Sequence, residues 1–169
     1  MKLLLFILLP LLVSFSDAKV SETNQQPTIF VFVAETCPIC QYYTKKLREI
    51  ADQYPYEIVL VFPNKLSNEE TIEKYKKKYK LEFRHIIDQD HYWVKKLNAD
   101  VTPEVFVYNA DQDSVYYRGR IDDNYYRVGQ RKQQVQSDDL VNALNSIEKQ
   151  EKIAVAKTQA VGCFITKHQ

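Results

Sequence analysis

The chain has 169 residues, with 23 Lys and Arg against 22 Asp and Glu and a formal charge of +1. That balance excludes a basic surface built for nucleic acid and an acidic solvating tail, so no nucleic-acid partner is expected. The length suits one domain, and 45% apolar residues suffice for an ordinary core. The twelve Tyr are expected as half-buried packing residues, apolar in the ring and polar at the tip.

In chain order, the first eighteen residues differ in kind from the rest. Lys2 precedes an almost wholly apolar run at 3–15, and Ser16-Asp17-Ala18 supplies small residues for cleavage. This pattern predicts a secretory signal peptide cut after Ala18. The run is short against the ~20 residues of a spanning helix. No Cys follows it to carry a lipid, and no later segment is apolar enough to cross a bilayer. The expectation is an exported chain with no stable membrane span after cleavage, periplasmic in a bacterium and secreted otherwise. Outside the cytoplasm disulfides persist. Three cysteines, two of them three positions apart, do not form a stapling framework; they suggest one redox pair and one leftover thiol.

Residues 19–27 are polar, end at Pro27 and read as a flexible leader. Residues 28–34 (TIFVFVA) form a continuous β-branched and aromatic run, expected as a buried strand. Cys37-Pro38 opens a helix, because Pro at the first helical position loses no hydrogen bond there. Cys40, Tyr43, Leu47 and Ile50 fall at helical spacing on its buried face. Residues 57–62 (EIVLVF) predict a second strand, stopped by Pro63. Ser67 or Asn68 can cap a helix reaching about Lys80, with Ile72, Tyr75 and Tyr79 as its stripe and the lysines at 76–78 as its solvated face. Residues 83–87 predict a short strand, 88–90 a turn and 91–98 a short helix on which Trp93 packs. Residues 103–108 (PEVFVY) and 114–120 (SVYYRGR) flank a turn at 109–113 and predict a hairpin. Ser137, with Asp138 and Asp139, marks a helix start, and Leu140, Val141, Leu144 and Ile147 form its apolar face. Residues 151–169 form a C-terminal tail. The order β-α-β-α-β-α-β-β-α predicts an α/β fold, a mixed central sheet with helices on both faces, in one domain at 28–150.

The chemistry lies in Thr36-Cys37-Pro38-Ile39-Cys40. A cysteine at a helix N-terminus meets the positive end of the helix and its free N–H groups, so its thiolate is stabilised. Cys37 is expected there as the exposed, attacking sulfur. Cys40, one turn in on the buried face, is placed to resolve a mixed disulfide, so the expected disulfide is Cys37–Cys40. Half of a zinc site is the competing reading, but it needs two more ligands at suitable spacing. Cys163, His85, His91 and His168 do not supply a matching pair, so no metal and no cofactor is assigned.

At 28–150 the chain resembles the thioredoxin superfamily. The resemblance rests on the strand–CPIC–helix unit and on Val101-Thr102-Pro103-Glu104 ahead of a strand. It implies a thioredoxin-like fold with a cis bond before Pro103, which would lie against the cysteine pair. It also implies that Thr102 and Pro103 bind substrate, the Thr102 backbone pairing with an extended chain. More closely, the chain is similar to exported redoxin-like proteins in which Tyr117-Arg118-Gly119-Arg120-Ile121-Asp122-Asp123 follows the hairpin and a Gly-Cys-x-Ile pattern closes the sequence, here Gly162-Cys163-Phe164-Ile165. The charged residues of the first segment are expected as surface ion pairs. Cys163 is open to three readings: a second redox partner for the CPIC pair, a metal thiolate, or a buried small hydrophobe, the last favoured by its apolar neighbours.

The sequence also departs from thioredoxins. Val31 stands where they carry a buried Asp, Thr36 replaces a Trp, and Pro-Ile replaces Gly-Pro between the cysteines. Proton transfer at Cys40 must then use water, Glu35 or Glu104. The leading expectation is a thiol–disulfide oxidoreductase whose partners are disulfide- or thiol-containing exported proteins and an unidentified redox partner. The alternative is a copper-handling redoxin, in which Cys37 and Cys40 with His85 or His91 hold Cu(I). A thiol peroxidase would need a Thr-x-x-Cys site, which Ala34-Glu35-Thr36-Cys37 does not match. A redox-inert module is disfavoured by two intact cysteines.

Overall fold

The computed structural model describes residues 26–166; the expected signal peptide, most of the leader and His168 lie outside them. Five strands make the central sheet: β1 (Thr28–Phe32), β2 (Ile58–Phe62), β3 (Arg84–Ile87), β5 (Glu104–Asn109) and β6 (Ser114–Gly119), in the order β3-β2-β1-β5-β6. The short β4 (Val101–Thr102) precedes β5. β2 is parallel to both β1 and β3, while β5 runs antiparallel to β1 and β6. The parallel half is built from strand–helix–strand crossovers through α1 (Pro38–Gln53) and α2 (Glu69–Tyr79). The antiparallel half needs only the turn at 110–113.

Strand alternation divides the core in two. Ile29, Val31, Ile58, Leu60, Phe62, Val105 and Val107 face a cluster shared with α1, α2 and α4 (Asp139–Glu148). Phe30, Phe32, Val59, Val61, Phe106 and Tyr108 face the opposite cluster, which contains α3 (Tyr92–Leu97) through Val94 and Leu97. Trp93 stacks on Phe30 at 4.5 Å between ring centroids. The mixed sheet with helices on both faces is the architecture expected from the pattern of elements.

Local details refine the expectation. Asn68, not Ser67, caps α2, in a reciprocal box with Thr71; Ser67 instead donates to the Glu35 carboxylate at 2.8 Å. Asp138 sits at the N-cap of α4, and Ser137 Oγ donates to Asp139. Lys77 and Lys78 are solvated, but Lys76 is half-buried between Glu73 and His85. A hairpin of β7 (Tyr125–Arg127) and β8 (Gln130–Arg131) was not foreseen.

The charged residues at 118–123 are not surface ion pairs. Asp122 is 3% exposed and Asp123 4%. Asp122 accepts from Tyr43 Oη at 2.5 Å and from the Asn124 N–H, and pairs with Lys46 at 3.2 Å. Asp123 accepts from Lys132 and from the N–H groups of Gln136 and Ser137, which hold its pKa down to about 2 against its burial. Arg118 binds Glu104 at 2.6 Å, and Arg120 binds Asp139. Asp122 and Asp123 are buried and accept from backbone N–H groups of the loop, and the segment ties α1 to α4 through Tyr43, Lys46 and Asp139.

The tail is part of the fold. Residues 156–158 run along the open edge of β6, with Arg118 N–H donating to Ala156 O and Thr158 N–H to Arg118 O. Gly119, at φ +137°, leaves room for Thr158, whose hydroxyl a Cβ there would meet at 2.2 Å. The chain then forms β9 (Cys163–Phe164), antiparallel to β4. Ile165 fills the core beside α3.

Candidate active site

Cys37 is the N-cap of α1, in an extended conformation, with Pro38 opening the helix and Gln41 N–H donating to its carbonyl. Its sulfur lies at the positive end of a 16-residue helix. Cys40 follows on the buried face with Ile39, Tyr43 and Leu47. β1 brings the loop before Cys37 to the end of the sheet, and β4 lies opposite. The Thr102–Pro103 bond is cis, and Thr102 O stands 3.2 Å from Cys37 Sγ.

Cys37 is not exposed as expected: it is 2% exposed. Thr102 O, Cys40 and the tail's Cys163 lie against its sulfur. β9 pairs Cys163 with Thr102 and sets Cys163 Sγ 2.8 Å from Cys37 Sγ. Sequence reading favoured Cys163 as a buried small hydrophobe; it is half-buried and packed on the first cysteine. The three sulfurs are unlinked.

Their acidities diverge. The Cys40 thiol, then Cys163 and the backbone N–H groups of both residues, stabilise the Cys37 thiolate against burial and bring its pKa down to about 5. Burial, reinforced by the neighbouring Cys37 charge, pushes Cys40 well up. The same two causes push Cys163 up to about 12. Near neutral pH the arrangement is one thiolate between two thiols, with Cys37 the common neighbour.

The two carboxylates singled out in the sequence are engaged elsewhere. Glu35 accepts from Ser67 and Thr71 at 2.8 Å each, at the rim of a hollow of about 370 Å³ lined also by Thr36, Leu66 and Thr166. Glu104, 4% exposed, accepts from Arg118 and from the Asp100 N–H. Buried Tyr75 of α2 is a further neighbour of both cysteines, whose charges help burial raise its hydroxyl pKa; the stripe at 72, 75 and 79 marked it as core but gave no sign of this proximity. The histidines stand apart. His91 Nε2 is 2.9 Å from Pro63 O. His85 lies with Glu69 and Glu73, the single cluster of three ligand-type side chains among the described residues.

A family model for the thioredoxin-like domain matches residues 15–127, more than half of the sequence. The chain belongs to the thioredoxin-like domain family. No curated protein matches it. Among solved structures, a hypothetical protein of Sinorhizobium meliloti aligns with TM-score 0.70 and 22% identity, over 86% of this chain and 81% of that one. An uncharacterised conserved protein of Geobacillus kaustophilus aligns with TM-score 0.66 and 18% identity, over 85% and 78%. At these identities the likeness is one of fold. A secreted disulfide oxidoreductase of Mycobacterium tuberculosis overlaps less, with TM-score 0.45 and 23% identity over 51% of this chain and 63% of its own. In this family member no helix of the described residues is long and apolar enough to cross a membrane.

Proposed function

We propose that the chain is an exported thiol–disulfide oxidoreductase acting through Cys37 and Cys40. The observation that carries this reading is the geometry at the start of α1. Cys37 is its N-cap, with Sγ 3.2 Å from Thr102 O at the cis Thr102–Pro103 bond. Cys40 follows one turn in on the buried face, the two thiols being shifted in opposite directions, Cys37 down and Cys40 up. A nucleophile and a resolving thiol need this division of roles.

The Cys37 thiolate attacks one sulfur of a substrate disulfide. The S–S bond breaks, a Cys37–substrate disulfide forms, and the other substrate sulfur leaves as a thiolate that takes a proton from water. Cys40 then loses its proton and attacks Cys37 Sγ. This releases the second substrate thiol and closes Cys37–Cys40. The substrate disulfide gains two electrons and the dithiol loses them. In the opposite direction the oxidised pair takes two electrons from a substrate dithiol. Thr102 and Pro103 bind the substrate chain beside Cys37, the Thr102 backbone pairing with an extended segment. Partners are disulfide- or thiol-containing exported proteins and a second redox protein that resets the pair. Export rests on Lys2, the apolar run at 3–15 and Ser16-Asp17-Ala18.

The test is a redox titration against glutathione, with and without Cu(I). A reversible two-electron couple between about −270 and −120 mV, lost in Cys37→Ser and indifferent to copper, is expected. Tight Cu(I) binding requiring both cysteines and a histidine, with no such couple, overturns the reading.

A further inference from the structure

Resting on that reading, we infer that the C-terminal strand β9 is an internal pseudo-substrate: it occupies the strand edge of Thr102 and offers Cys163 as an exchange partner for Cys37.

Three independent contacts place it. The backbone of β9 is paired with β4 in antiparallel register, Thr102 opposite Cys163 and Val101 opposite Phe164. Cys163 Sγ lies 2.8 Å from Cys37 Sγ, about 0.8 Å beyond a disulfide bond length. Gly162 is seated on the peptide between Thr102 and Pro103 so closely that a Cβ would stand 2.2 Å from Thr102 O. The segment is anchored at both ends: Thr158 is bound to β6, while Ile165 is buried and donates its N–H to Asp100 O. Phe164 between them is 86% exposed, so the strand is not held there by burying that ring. What it covers is Cys37. A substrate sulfur that reaches Cys37 from this side must displace Cys163.

The exchange step balances without an outside oxidant. In the oxidised chain, Cys163 gives up its proton and its thiolate attacks Cys37 Sγ. The Cys37–Cys40 bond breaks, a Cys37–Cys163 bond forms, and Cys40 leaves as a thiolate that takes the proton. No electrons are gained or lost. The closed form locks β9 over the site and leaves Cys40 free to reverse the step by attacking Cys37.

The full-length chain and four variants test this. Each is oxidised in glutathione buffers, acid-quenched, alkylated and mapped by mass spectrometry. The expected product of Cys40→Ala is a Cys37–Cys163 disulfide in preference to glutathione on Cys37, and wild type contains some of the same linkage. Gly162→Val should lose it and react several-fold faster at Cys37 with an extended peptide disulfide. Truncation after Gln159 gives the same readout should Gly162→Val not fold. Cys37 found only glutathionylated in Cys40→Ala, with Cys163 still a thiol, overturns the inference, as does an unchanged peptide rate once β9 is unseated or removed. Cys163→Ala separates the two readings: a reversible Cys37–Cys40 couple that persists there, at whatever potential, keeps the oxidoreductase whatever becomes of the pseudo-substrate.

Discussion

The acidity of Cys37 has more than one source, and substitution can apportion them. The helix N-terminus and the Cys40 thiol belong to the CPIC unit itself, whereas the Cys163 thiol and N–H come from the far end of the chain. As Cys40 is the largest contributor and Cys163 a smaller one, Cys163→Ala should raise the pH midpoint of Cys37 alkylation above about 5 while leaving it well below the ~8.5 of a free cysteine. Cys40→Ala should raise it further. Iodoacetamide rates measured from pH 4 to 9 on the reduced chain read this out directly, those pH limits spanning roughly the range of tuned thiols. An unaltered midpoint in Cys163→Ala would show that the tail sulfur touches Cys37 without stabilising its charge. In its thiol form Cys37 Sγ can instead donate to Thr102 O, 3.2 Å away, so the site rearranges its hydrogen bonds as it titrates.

The elements that carry the site are fastened by residues that local sequence patterns undervalue. α1 bears both cysteines, and its outer flank is held by Asp122, which binds Tyr43 and Lys46 one turn apart. Removing that carboxylate leaves the buried Tyr43 hydroxyl without its acceptor and takes from Lys46 one of its two carboxylates, the other being Asp138. Asp122→Ala is therefore expected to cost about 2–4 kcal/mol, read as a fall in the urea midpoint. Lys45→Ala breaks only the exposed pair with Glu49 on the same helix and should cost at most ~0.5 kcal/mol. Equal effects from the two would return Asp122 to the status of a surface charge. The contrast also explains what the sequence made legible. Strands such as β1 and β2 show themselves by continuous β-branched runs, and α1 by Pro38 and the spacing of Cys40, Tyr43 and Leu47, because these signals are local. Asp122 and Asp123 are buried with partners such as Tyr43 and Lys132, and nothing in Arg-Gly-Arg-Ile-Asp-Asp announces it. The cysteine pair was legible for the same reason as α1. The partnership of Cys37 with Cys163 spans 126 positions and arises from a two-residue strand, which is too short to carry a periodicity.

On the scale of the whole molecule, the site's electrostatics enter the folding equilibrium. In the unfolded chain Cys37 regains a pKa near ~8.5, whereas folded it lies at about 5. Between these values the unfolded state holds the extra proton, so stability rises with pH. Below about 5 both states are protonated there and this stabilisation is lost. Cys40 and Cys163 are shifted the other way. They keep protons that the unfolded chain sheds above ~8.5, so their contribution falls as pH climbs past that point. The shifted carboxylates, Glu57, Asp113 and Asp123 among them, are all lowered from ordinary acidic values and act below the window. Reduced wild type should therefore gain stability from pH 5 to 8 relative to Cys37→Ser, by up to ~1.4 kcal/mol per unit and on the order of 2–3 kcal/mol by pH 7. Urea midpoints at matched pH measure it, and parallel profiles for the two proteins would show that the folded environment does not favour the thiolate. The same stabilisation acts on the dithiol and not on the disulfide, so it raises the reduction potential toward the oxidising end of the family range. A chain that showed the stability slope but titrated near the reducing end would need an opposing stabilisation of its oxidised form, and the inferred Cys37–Cys163 linkage, which would close β9 over the site, is a candidate for it.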